Sequence, residues 1–210
     1  MPLDYLKTAL VTLFVALDPP GLAPVFVGLT LGMSRLERRV VALRACLIAF
    51  GILVAFAFAF GGRPALEALG VTLPAFRIAG GLLLFYVAFD MLFTLRGERK
   101  REIASDAVMV DHIRNIAAFP LAIPLMAGPG AITATMLLAG RAGGDWRALA
   151  SLMAVAAAVM LFSFMIFLMA ERISHALGVT GNAVLTRMFG LVLAAMAVQF
   201  VIDGVGAIGK

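Results

Sequence analysis

The chain has 210 residues, 63% of them apolar and 14% charged, with a formal net charge of +5 and a mean hydropathy of +1.06. A water-soluble domain carries about 45–50% apolar and about 25% charged residues, so this composition excludes one and indicates an integral membrane protein. The positive balance does not imply nucleic-acid binding, because the basic residues cluster in loops between apolar runs, where they set orientation in a bilayer.

A helix needs about 20 apolar residues to cross the hydrocarbon core. The first apolar run, from Leu6 to about Met33, is longer than that and holds Asp18-Pro19-Pro20-Gly21. It reads as two half-helices, or as a span plus a re-entrant piece. Lys7 ahead of an apolar run resembles a signal peptide, but no small-x-small cleavage pattern follows, so the run is taken as a first span. Ser34 with Glu37 three residues on has the spacing of a capping box and opens a second span at about Val40 to Phe60, ended by Gly61-Gly62-Arg63-Pro64. A third span runs from about Leu73 to Leu95, with Pro74 in its first turn and Arg77 and Asp90 inside it.

A strongly charged loop from Arg96 to about Asn115 divides the chain. A fourth run from Ile116 to about Ala139 holds Pro120, Pro124 and Gly128-Pro129-Gly130. Proline lacks an N–H and clashes with the preceding turn, so a regular helix cannot pass through. In lipid such a break survives only when buried in protein or facing a water-filled cavity. The loop Gly140–Arg147, a fifth span at Ala148–Ala170 with an alanine-rich surface at 154–158, a loop beginning Glu171-Arg172, and a sixth span at Ala183–Ile202 complete the chain.

The halves overlay. A shift of 109 places Pro20-Gly21 on Pro129-Gly130 and the second span on the fifth, and a shift of 110 places Arg77 on Arg187 and Gly80 on Gly190. Three spans per half is an odd number, so the second half enters the bilayer from the opposite side. The expected fold is therefore all-α, with six transmembrane segments as two inverted three-helix repeats (1–95 and 116–210) around a polar cytoplasmic loop (96–115), and broken or re-entrant helices at 18–21 and 127–130. Eleven basic residues fall on one face and six on the other, which puts the eleven in the cytoplasm and both termini outside.

Paired breaks in the two halves of a hydrophobic chain point to a transporter's binding site. Asp18 is the sharpest candidate, since a carboxylate within a span is costly unless paired, protonated or hydrated. It is read as a proton or cation site or as the partner of a substrate ammonium, and equally as an N-cap for the half-helix that begins at Pro19-Pro20-Gly21. Gly128-Pro129-Gly130 should open the matching half-helix with N–H groups at Gly130, Ala131 and Ile132 turned to a substrate carboxylate. Thr133 and Thr135 add hydroxyls, unless they bond back to their own helix. Arg77 reads as a gate or charge partner for Asp18, or as a snorkelling interfacial residue, and Gln199 as a hydrogen-bonding group between helices. Catalytic chemistry has little to draw on: Cys46 has no histidine in any span to activate it, Ser163 is isolated, and His112 and His175 fall in loops without metal-ligand spacing.

Four ordered stretches resemble the MarC family of bacterial inner-membrane proteins: Val11-Thr12-Leu13-Phe14-Val15-Ala16-Leu17-Asp18-Pro19-Pro20-Gly21, Arg77-Ile78-Ala79-Gly80-Gly81, Pro120 through Gly128-Pro129-Gly130-Ala131-Ile132-Thr133, and Ala197-Val198-Gln199-Phe200. The family is in turn similar to the LysE-type amino-acid exporters. The resemblance implies six spans, a bacterial inner-membrane location, and transport of small neutral amino acids driven by a gradient of H+ or Na+, with no cofactor and no metal. It implies a small-molecule substrate and membrane lipid as partners, and leaves a homo-oligomer open. The competing reading is a non-transporting inner-membrane partner or stress-response protein that acts through the 96–115 loop.

Overall fold

The computed structural model describes residues 3–60, 66, 70–93 and 116–208. The 96–115 loop, the Gly61–Pro64 turn and His112 lie outside them. In chain order the elements are α1 (Leu3–Leu17), α2 (Pro19–Leu29), α3 (Arg35–Phe60), α4 (Leu73–Leu92), an irregular coil α5 (Ala117–Met126), α6 (Pro129–Ala142), α7 (Trp146–Leu168) and α8 (Ala170–Val205). No strand occurs among the described residues. Five helices are long and apolar enough to cross a membrane, with Asp4–Leu29 running as one; the pair α5 and α6, bent by 61°, makes a sixth if it is counted as one broken span. The protein is thus an all-helical, multi-pass membrane protein.

Local chemistry sets the helix starts. Ser34 and Glu37 form the reciprocal box that opens α3: the Ser34 N–H donates to Glu37 Oε2 at 2.7 Å, and the Glu37 N–H to Ser34 Oγ at 3.3 Å. Thr72 Oγ1 accepts from the Ala75 N–H and starts α4 with proline in its first turn. Asp145 caps α7 by accepting from the Arg147 N–H at 2.9 Å. The expected loop at 140–147 shrinks to three residues, because α6 continues to Ala142 and stops at Gly143, whose φ of 61° suits a residue without a Cβ.

Two expectations fail. The loop beginning at Glu171 is helical, part of α8. A 36-residue helix would rise about 54 Å, far more than a bilayer core. It is interrupted at Gly178, whose φ 59°, ψ −173° is essentially reserved to glycine. The alanine surface at 154–158 is also mostly turned outward: Ala156 is buried, whereas Ala154, Ala157 and Ala158 are exposed.

The interior mixes large side chains such as Phe26, Phe200, Leu84 and Met91 with rows of alanine and glycine where helices come closest. On α3, Ala42, Ala45, Ala49 and Ala57 are fully buried, with Leu53 among them. Outward faces carry Leu82, Leu83 and Phe85 on α4, Leu161 and Phe162 on α7, and Leu191 and Val192 on α8. Lipid tails are as apolar as leucine, so helices associate through close backbone approach rather than by hiding large side chains from water. The α4–α8 contact shows this. A Cβ on Gly81 would lie 2.8 Å from the Ala197 carbonyl oxygen, one on Gly190 3.1 Å from that of Ala88, and one on Gly204 3.0 Å from that of Pro74.

Those contacts also set direction. Early α4 meets late α8 and late α4 meets early α8, so the two are antiparallel. Gly80 lies against Leu137 and Gly130 against Val87, so α4 and α6 are antiparallel as well. At the start of α1, Tyr5 Oη donates to the Leu138 carbonyl at 3.0 Å. Further on, Thr12 Oγ1 reaches Met196 Sδ at 3.6 Å. Arg141, just past Leu138, pairs with Asp203. α1 therefore runs with α4 and against α6 and α8.

Candidate functional site

The first break is a one-residue joint. Asp18 adopts φ 51°, ψ 59°, the left-handed region, and α2 starts on the two prolines that follow. The backbone ladder carries across it, from the Asp18 N–H to the Phe14 carbonyl at 3.0 Å and from the Leu22 N–H to the Asp18 carbonyl at 3.2 Å. Hence α1 and α2 read as one span with a local twist rather than two separated half-helices. The Asp18 side chain is 1% exposed and folds forward, so that Oδ1 accepts the Gly21 N–H at 3.2 Å. That is the N-cap geometry, which satisfies an otherwise orphaned donor and sets negative charge on the positive end of the helix dipole. A Cβ on Gly21 would lie 2.1 Å from Asp18 Oδ2. Glycine is what lets the carboxylate lie over the helix start.

The second break is longer and sharper. Before each of Pro120 and Pro124 the chain is extended, at Phe119 (φ −133°, ψ 125°) and Ile123 (φ −124°, ψ 124°). The proline ring pushes the preceding residue out of the helical region, which is what these angles show; both X–Pro bonds are cis. Wide turns bridge the gaps, with the Leu121 N–H on the Ile116 carbonyl and the Ala127 N–H on that of Ala122. The irregularity thus begins eight residues ahead of the expected 127–130. Gly128 then passes so close to the Pro124 carbonyl that a Cβ would sit 2.5 Å from its oxygen. α6 opens at Pro129 with no side-chain cap. Gly130, Ala131 and Thr133 are buried there, and Pro129 is exposed. Of the three N–H groups assigned to a ligand, that of Ile132 is taken by the Gly128 carbonyl at 3.0 Å, which leaves Gly130 and Ala131. Thr135 Oγ1 donates back to the Ala131 carbonyl at 2.8 Å, so it belongs to its own helix.

Counted along the helices, the two breaks lie within about 6 Å of each other in depth. The Tyr5–Leu138 bond makes the start of α1 level with the end of α6. From there Asp18 is 13 residues along α1, about 20 Å, and Pro129 is nine residues back along the antiparallel α6, about 14 Å. Asp18 is in turn eight residues, about 12 Å, before Phe26 near the other end of the bundle.

Arg77 and Gln199 lie elsewhere, at the Tyr5 end. Gly204 packs on Arg77 Cβ, and Arg77 is in electrostatic reach of Arg141 and Asp203. Arg141 bonds Asp203 and covers the Phe200 ring, its guanidinium carbon 4.3 Å from the centroid. Gln199 Nε2 donates to Asp203 Oδ1 at 2.7 Å, within its own helix rather than across helices. So Arg77 is placed beside a polar knot at the bundle's end, about 20 Å from Asp18. Arg141 and Asp203 were not singled out by the sequence. Their one signal is an acid inside the last apolar run with a basic residue at the end of α6.

Cys46 is buried on α3, and Ser163 Oγ donates to the Val159 carbonyl at 2.8 Å. Among the described residues no cluster of three metal-ligating side chains occurs.

A family model described as "MarC family integral membrane protein" matches residues 3–208. The chain is 36% identical over 206 residues to UPF0056 membrane protein MJ1677 of Methanocaldococcus jannaschii, covering 98% of both chains. It is 34% identical to UPF0056 membrane protein YhcE of Escherichia coli, over 93% of this chain and 89% of the relative. It is 32% identical to UPF0056 membrane protein YvbG of Bacillus subtilis, over 96% and 94%. No solved structure matches the chain.

Proposed function

The chain belongs to the MarC family of integral membrane proteins, and on that premise we propose that it is a secondary transporter of small neutral amino acids or similar zwitterions, driven by an H+ or Na+ gradient. The observation that carries this reading is the pair of helix discontinuities within about 6 Å of each other in depth, one marked by a buried carboxylate that caps α2 and the other by a half-helix with no side-chain cap. A zwitterion has one group for each. The positive end of α6, with the Gly130 and Ala131 N–H groups and the Thr133 hydroxyl, suits a carboxylate. Asp18 suits an ammonium or the coupling cation.

Alternating access would be the rocking of two inverted repeats, 1–95 and 116–210, about this level. Three features support that. α2 and α6 both open on proline after a break. α1 and α4, the first and third spans, run one way while α6 and α8, the fourth and sixth, run the other. Elements also recur in order across the halves. Arg77 and the Arg141–Asp203–Gln199 knot would close the outer end in one state. With the arginine-rich face inward the protein would sit in the bacterial inner membrane with both termini outside.

The test is counterflow in proteoliposomes against alanine and glycine, under imposed proton and sodium gradients. The expected result is gradient-dependent exchange that Asp18→Asn abolishes. Absence of exchange of any small amino acid under either gradient overturns the assignment.

A further inference from the structure

We propose that the cleft at the end of the bundle opposite Tyr5 is a binding site for the phosphate of an anionic phospholipid. It has a volume of about 300 Å³ and lies where the ends of α2 and α7 meet the starts of α3 and α8. That is small for a whole lipid and suited to a headgroup.

Its walls are strongly cationic. Arg35, Arg38 and Arg39 come from the first turns of α3, and Arg172 from the first turn of α8. Among the described residues that line the cleft one carboxylate, Glu171, faces these four, and it is paired with Arg38. Even so, Arg38 Nε is buried with no hydrogen-bond partner among the described residues. Among the described residues, the site therefore holds more guanidinium charge and donors than the acceptors around it use. Guanidinium groups match phosphate oxygens in planar, two-pronged pairs. The start of α3 is not itself the attractor, since Ser34 and Glu37 already satisfy it.

The rest of the lining is apolar, which favours a lipid over a free ion. Phe26 and Phe167 stack with centroids 4.7 Å apart and form the floor. Leu168 and Met169 are exposed at the rim, where an acyl chain leaving the headgroup would run along the last turn of α7. Basic pockets between helices at the membrane boundary are the form that anionic headgroup sites take. The site is about 12 Å along the chain axis from Asp18 and does not rest on the transport reading.

Native mass spectrometry of the purified full-length protein tests this, with phosphatidylglycerol, phosphatidylcholine and soluble glycerol 3-phosphate as probes. The expected result is retention of phosphatidylglycerol about tenfold above phosphatidylcholine, lost in the double variant R39Q/R172Q and kept in R147Q, a basic residue at the start of α7. R39K/R172K, which keeps the charge and loses the planar fork, should retain an intermediate amount and reads the site even where the double glutamine variant does not fold. Equal retention of the two lipids, loss in R147Q equal to that in R39Q/R172Q, or displacement of phosphatidylglycerol by millimolar glycerol 3-phosphate would overturn it; the last would make this a site for soluble phosphates.

Discussion

At Asp18 and Gly21 two side chains decide one another's conformation. The carboxylate caps α2 by lying where a Cβ on residue 21 would be. Gly21→Ala should therefore push it off the residue-21 N–H and cost about 1 kcal/mol of stability through the lost cap, read by thermal unfolding; on the proposed transport reading, counterflow should fall as well. Gly128→Ala is the harsher change, because the obstacle is the Pro124 carbonyl, which cannot rotate away. About 1–3 kcal/mol of destabilisation is expected in the same unfolding assay. Arg141 and Asp203 should behave as a unit: R141Q and D203N in a double-mutant cycle should show a coupling of about 1 kcal/mol, and additive effects would show that the pair contributes nothing. These residue-scale features were unequally legible. An acid before Pro-Pro-Gly in an apolar run announces itself, and both its cap role and its burial follow from chemistry. Arg141 and Asp203 are 62 positions apart, and only the antiparallel register of α6, α4 and α8 brings them together. Gln199 was noticed for the wrong reason, since its partner is one turn ahead on its own helix.

Elements that obey local rules were the most readable. The box at Ser34 and Glu37 is visible as a spacing of three and forms as written. Ser34→Ala should lower stability by about 1 kcal/mol, read by thermal unfolding, while leaving the rest of α3 helical. The irregular α5 was legible in part. The glycines at 128 and 130 mark the break, while Phe119 and Ile123, each ahead of a proline, carry the signal for the earlier irregularity, since a residue before proline is driven extended. The helical stretch from Ala170 was missed because its polar residues looked like a loop. Polar residues do not prevent a helix where one end leaves the bilayer, and Gly178 supplies the bend that lets two differently directed pieces share one run. The alanines of α7 show the reverse error: composition named a small-residue surface, but which face it occupies depends on the partner helix.

Over the whole molecule, direction follows from a few close contacts. Glycines sit where helix backbones come closest, so each such contact fixes the register of a helix pair. The prediction at this scale concerns the α4–α8 pair. In a Cys46→Ala background, cysteines at Ile78 and Gly204 should cross-link readily, whereas cysteines at Ile78 and Gly190 should not, since Gly204 lies against Ile78 and Gly190 against Met91. The reverse pattern would refute the antiparallel arrangement. That the chain makes five or six spans, and that two of its apolar runs are interrupted at proline, was legible from hydropathy and proline. The bend of 61° in one half, against a joint in the other that leaves Asp4–Leu29 as one run, was not, because both runs carry a Pro-Gly signature and only the second adds the prolines at 120 and 124 ahead of it.

Asp18 holds the first turn of α2 by the same oxygen atoms that would attract a cation. On the proposed reading, an ion arriving there would compete with a main-chain donor, so its occupancy would loosen the helix origin and its departure would re-form it. The amide proton of Gly21 should report this directly: its exchange with deuterium should quicken when the coupling ion is supplied, before any solute has been identified.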